Sequence, residues 1–176
     1  MHKNGKVSYV ENDAELTVET RSGRKPIERL PVSSASRILG VHLAPNGSQE
    51  AQIRAMRDKT VAWADRIRSG HIQQRDAWHY LQSTIKRTLL YPLLATTLSE
   101  DDCRRVEAPA LEAGLQAAGM PSNMPRDVVF GPEKYLGLDH GSLHHTQGAK
   151  HIQAILDFGK TNTITGHQIR ALIERG

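Results

Sequence analysis

The hydrophobic pattern changes period at Pro45-Asn46-Gly47, and no other feature constrains the fold as much. Before it, β-forming residues come in short runs. After it, apolar residues recur every three or four positions, as amphipathic helices require. The tripeptide joins a fixed φ, an Asn tolerant of left-handed backbone and a free Gly, so it reads as a tight turn. The stretch from Ser36 to Gly47 leads into it, with Ile38-Leu39-Gly40-Val41 and then His42 and Leu43 reading as one strand. Gly40 inside that strand marks either a bulge or a place where a backbone or ligand approaches closely.

Upstream, Val7, Tyr9, Val10, Leu16, Thr17 and Val18 predict a hairpin over Lys6 to Glu19, turning at Glu11-Asn12-Asp13. Arg21 to Pro26 reads as a turn and Ile27 to Leu30 as a brief extended piece. Such a sheet is too small to stand alone unless it packs on the helices or on a segment from elsewhere.

Downstream, the first helix is expected over Ser48–Ser69, capped by Asn46 or Ser48 and ended by Gly70, with Ile53, Met56, Thr60, Trp63, Ala64 and Ile67 on its buried face. Arg57 and Arg68 flank that face on one shoulder, Lys59 and Arg66 on the other, while Asp58 and Asp65 point outward. A second helix spans Gln74 to Tyr91 and stops at Pro92. It buries Ala77, Trp78, Leu81, Ile85, Thr88 and Leu89, with Lys86 and Arg87 opposite, and Trp63 and Trp78 read as core aromatics clamping the two helices together. A third opens at Ser99, carries the stripe Cys103, Val106, Ala110, Ala113, Gly114 and Ala117, kinks at Pro109 and ends at Gly119. Met120 to Gly141 is turn-rich, with extended pieces at 128–130 and 135–138; helices follow over Thr146–Phe158 and from Thr165, where Gln168 completes a capping box. The last helix still runs at the chain's end, as a fragment's would.

These elements predict a mainly α fold with a small N-terminal antiparallel β region, an α+β class. Its parts are a β-rich piece at 1–47, a three-helix bundle at 48–119, and a Pro/Gly-rich connection plus two helices at 120–176.

No catalytic constellation emerges. Asp101 and Asp102 diverge by about a hundred degrees on a helix and sit where acids favour the helix dipole, so they read as capping residues. His140, His144, His145 and His151, with Asp139 beside them, lack the spacing of a three- or four-ligand metal site. Phosphate-loop, dinucleotide, nucleophile-elbow and His-Glu-x-x-His motifs are missing. Cys103 is the only cysteine, no apolar run nears the ~20 residues of a membrane helix, and no secretory signal opens the chain. An intracellular location without membrane contact is expected. The net charge of +4 permits a polyanionic partner without demanding one.

The ordered set Ile27-Glu28-Arg29-Leu30, Arg37 to Val41, Ala44 to Gly47, Trp63 to Ile67, Leu90-Tyr91-Pro92-Leu93, Pro125 to Val129, Gly131-Pro132, Tyr135 to Leu138, Thr146-Gln147-Gly148 and His151-Ile152 resembles the region just downstream of the catalytic palm in non-LTR-type retroelement reverse transcriptases. The resemblance runs from about Ile27 to Arg175. It implies that Leu39, Gly40 and Val41 form the strand of a primer grip and that Ser48 to Gly119 is a thumb-like bundle. That bundle would hold an RNA–DNA or RNA template–primer duplex through Arg54, Arg57, Lys59, Arg66, Arg68, Lys86 and Arg87, weakly, salt-sensitively and without sequence preference. The family's Asp-Asp turn lies upstream, and residues 1 to 36 contain only Asp13. Two-metal nucleotidyl transfer needs clustered carboxylates, so this chain is expected to bind no magnesium of its own, to polymerise nothing by itself and to require a palm and fingers segment as partner. The alternatives are a helical protein–protein interaction module and an inactive retroelement remnant.

Overall fold

Helix α4, Glu100–Ala117, is the element on which the others pack. It starts as its sequence dictates: Ser99 stands in extended backbone and its Oγ accepts the Asp102 amide at 3.1 Å, while Glu100, Asp101 and Asp102 fill the first turn. Its small side chains let α1 (Glu50–Ser69) lie closely alongside. On the side facing the helical run that follows α1, an added Cβ at Gly114 would come within 2.9 Å of Leu81, so only glycine leaves that side chain undisplaced. The computed structural model describes residues 15–175 and the backbone of His2–Lys3 and Lys6–Val7.

The fold is mainly helical with small antiparallel sheets near the N-terminus. Three two-stranded hairpins come first: β1 (His2–Lys3) with β2 (Lys6–Val7), β3 (Thr17–Thr20) with β4 (Gly23–Pro26), and β5 (Ser36–Ile38) with β6 (Val41–Leu43). The turn expected at Glu11-Asn12-Asp13 lies outside the described residues. Gly23–Pro26, expected as a turn, is instead a strand paired with β3 across the turn Arg21-Ser22, where Gly23 takes φ +108°. Ile27–Leu30 forms no strand.

After α1 comes one helical run made of α2 (Gln74–Tyr80), a π-helical segment (Leu81–Lys86) and α3 (Arg87–Leu90), closed by a 3₁₀ turn at Pro92–Leu94. Beyond α4 lie α5 (Arg126–Phe130), a 3₁₀ turn at Glu133–Tyr135, α6 (Leu143–Gly159) and α7 (Ile164–Arg175). Residues 128–130, expected as extended, belong to α5; of 135–138, Tyr135 ends that 3₁₀ turn, Leu136 caps it at φ +63°, and Gly137-Leu138 form no strand. Thr163 Oγ1, not Thr165, accepts the Gly166 amide at the start of α7, at 3.2 Å.

One core joins α1, the second helical run and α4: Met56, Ala64 and Ile67 meet Leu81, Ile85, Leu89, Val106, Leu111 and Leu115. It also takes in Val129 and Leu143, so the connection after α4 contributes to the same interior. The tryptophans are partly buried against it, but α1 packs chiefly on α4, and Trp78 lies beside His140 with ring centroids 5.6 Å apart. Thr88, expected inside, is exposed and returns its hydroxyl to the Thr84 carbonyl.

Candidate nucleic-acid interface

The stretch read as a single strand around Gly40 is a hairpin. Ile38 pairs with Val41, leaving Leu39 and Gly40 as a two-residue turn with φ of +48° and +88°. Positive φ at both central positions defines a type I′ turn, the one whose twist matches antiparallel strands. Glycine suits the second position; leucine is an uncommon choice for the first. Gly40 is therefore neither a bulge nor a strand residue, and of the three residues assigned to the grip only Val41 stands in a strand.

Two side chains tie this hairpin to the helices. The Tyr91 hydroxyl, just past α3, donates to the Leu39 carbonyl at 2.8 Å. Gln52 Oε1, buried in the first turn of α1, accepts the His42 amide at 2.7 Å. Val41 is buried beneath the hairpin, while the Leu39 side chain stands 87% exposed at its tip.

Along α1, Arg54, Arg57, Lys59, Arg66 and Arg68 are all exposed. Arg68 pairs with Asp65 at 3.7 Å; for the other four no acid lies within ion-pair distance among the described residues. At a hundred degrees per residue, Arg54, Arg57 and Arg68 fall along one flank and Lys59 and Arg66 along the other, divided by Asp58 and Asp65. The arginines of α4 are engaged differently. Arg104 pairs with Glu100 and Asp101, and Arg105 with Asp102.

Lys86 does not face outward as its place on an α-helix predicts. A π-helical turn bonds i to i+5 and so brings Lys86 over the buried Leu81 rather than to the opposite face. Its ammonium lies near Gly141, and burial lowers its pKa despite the attraction of Glu107 and Asp139. Lys86 is thus withdrawn from the proposed duplex surface, whereas Arg87 remains exposed.

Sequence periodicity missed a buried polar pair beside Lys86. Glu107 of α4 and His140 are both almost fully buried, with Oε1 and Nε2 2.9 Å apart. His140 also stacks on Phe130, with centroids 6.1 Å apart. A polar pair so placed joins α4 to the chain 33 residues later, and no local signal announces it. Above Glu107 a cleft of about 310 Å³ opens between α4, α5 and the start of α6, lined by both signs of charge: Arg104 and Arg126 against Glu100, Glu107 and Asp127. Cys103 is buried, and burial first, then Glu107, Asp102 and Glu100, push its thiol up to about 11. Among the described residues no three His, Cys, Asp or Glu side chains are placed to hold a metal ion, and no helix is long and apolar enough to cross a membrane. His151 Nε2 is engaged with the Leu93 carbonyl at 2.8 Å.

No protein-family description matches this chain, and no curated protein or solved structure is similar to it.

Proposed function

We propose that this chain is a duplex-holding piece of a retroelement-type reverse transcriptase, with primer grip and thumb but without the polymerase's catalytic carboxylates. One observation carries the reading: the division of charge about the core. From Glu15 to Ser69, the hairpins and α1 carry ten basic and six acidic side chains. Across the core, α4 carries five acids and two arginines, both held by its own first-turn acids. A polyanion is attracted to the first surface and repelled by the second.

Four cations of α1, without acidic partners among the described residues, offer phosphate contacts that release counterions, a sequence-independent and salt-dependent mode of binding. The acids between the two flanks make them separate strips, so a duplex lies along one flank rather than astride the helix. The exposed hairpins β3–β4 and β5–β6 fit the same reading. Val18 and Ile38 on them, with Leu16, Ile27, Leu30 and Val32 in the chain that flanks and joins them, remain exposed, and a palm segment would cover these residues.

Titration of the purified chain with a fluorescent RNA–DNA duplex at 50 and 200 mM salt tests the proposal. Binding at the lower concentration that weakens at least tenfold at the higher supports it; an absence of binding at the lower rejects it.

A second reading, a protein–protein interaction module, has its own support. Helices α6 and α7 expose Ile152, Ile155, Leu156, Phe158, Leu172 and Ile173, and contiguous exposed apolar surface marks interaction sites.

A further inference from the structure

The turn at Leu39-Gly40 holds an unfavourable residue in an unfavourable conformation, and one side chain from a distant helix fastens it there. Leucine at φ +48° crowds its Cβ against the following carbonyl, a strain that asparagine or glycine would relieve. Such strain persists where neighbouring structure over-determines it, and it clusters where backbone is presented to a ligand. The neighbour here is Tyr91, 52 residues on, whose hydroxyl takes the Leu39 carbonyl at 2.8 Å and whose ring edge lies 3.6 Å from where a Cβ on Gly40 would sit. Tyr91 stands at the end of the helical run, one residue before Pro92 breaks it, so the position of its ring is set by the packing of Leu89 and Leu93 in the core. Despite being 63% exposed, the ring therefore stands on a rigid base. Gln52 fixes the outgoing strand from α1. Tip and strand are thus held from two different helices, and the Leu39 side chain is left pointing into solvent.

We propose that Tyr91 is the positioning residue of the hairpin tip. It locks the Leu39-Gly40 turn to the end of the second helical run, so that the end of a bound nucleic-acid strand meets a fixed backbone edge and the Leu39 side chain. The lock is a property of the fold; its service to a strand end rests on the duplex reading above.

Two measurements on the full chain separate these parts. The first is amide exchange at Ile38 and Val41, the pair flanking the turn, in the wild type and in Tyr91→Phe, which keeps the ring and removes only the donor. Loss of one hydrogen bond predicts exchange about fivefold faster at these two amides, with α1 and α4 amides unchanged. Equal rates in the two proteins overturn the lock. The second compares affinity at low salt for an RNA–DNA duplex with a recessed 3′ end and for the same duplex closed by loops at both ends. Tyr91→Phe is expected to lose severalfold affinity for the recessed duplex and none for the closed one. Leu39→Asn, which suits the turn better, is expected to show the same selective loss without faster exchange. Equal losses on both substrates, or none, overturn the positioning role. If the wild type binds neither duplex, the duplex reading and the positioning role fall together, while the exchange rates alone still decide the lock.

Discussion

Every residue of β3 and β4 is exposed, whereas α4 buries eight of its eighteen. The two regions are held by different physics. The helices are specified by a shared interior, in which Leu81 seats against Gly114 and Leu111, Leu115 and Val106 are sealed from water. The β3–β4 ribbon has its register from local turn chemistry: Thr20 Oγ1 donates to the Gly23 carbonyl at 2.7 Å, and Gly23 supplies the positive φ. Two strands with no buried face have little stability of their own. The β5–β6 hairpin stands between these extremes, exposed at its tip but anchored through Val41, Gln52 and Tyr91. The helices share an interior that stabilises them, whereas the ribbon has no buried face.

The largest break in that contrast is expected from Leu115→Ala in α4. Leu115 is fully buried, so truncation should cost about 2–5 kcal/mol in urea-induced unfolding. Next comes Glu107→Ala, which leaves the His140 Nε2 without its partner in a dry setting and should cost about 1–3 kcal/mol. A loss within experimental error would mean that the pair does not fasten the post-α4 segment.

Ser99→Ala should cost about 1 kcal/mol by removing the cap of α4. It also has a pH signature. The Ser99 hydroxyl, ahead of the Arg105 guanidinium, holds the Asp102 carboxyl below its ordinary value. A depressed folded value gives stability that is present above the ordinary carboxylate range and lost as the pH falls through the folded value. Unfolding midpoints measured between pH 6 and 2 should therefore fall less steeply in Ser99→Ala than in the wild type. The smallest effect belongs to the ribbon: Val18→Ser should change global stability by less than about 0.5 kcal/mol, since its exposed side chain touches no core. A cost above 1 kcal/mol would show that β3–β4 is already covered.

What local pattern could specify was legible in the sequence. The 3.6-residue period placed Met56, Thr60, Ala64 and Ile67 inside α1, and Ser99 and Gly70 marked their helix ends. What depends on distant contacts was hidden. Nothing near Lys86 signals that the helix widens to a π turn there and draws the lysine inward, since that turn answers to the packing around Leu81 and Ile85. The burial of Glu107 has no local signal, because its partner lies 33 residues away. The turn at Leu39-Gly40 was masked by apolar neighbours that read as continuous strand, and Tyr91, though noted within Leu90-Tyr91-Pro92-Leu93, gave no sign of a partner 52 residues away. Arg54, Arg57, Lys59, Arg66 and Arg68 were placed where periodicity put them, on the flanks of α1, although the acids between them divide the surface into two strips.

That division offers the most direct test of the duplex reading. Affinity for an RNA–DNA duplex is measured across a salt series for the wild type, for Arg54→Gln/Arg57→Gln and for Lys59→Gln/Arg66→Gln. Each phosphate contact removed should flatten the logarithmic salt dependence by about 0.7–0.9. One pair of substitutions is expected to lower the slope by between one and two while the other leaves it within error. Slopes identical in all three proteins, or a wild type whose affinity ignores salt, would contradict the duplex reading.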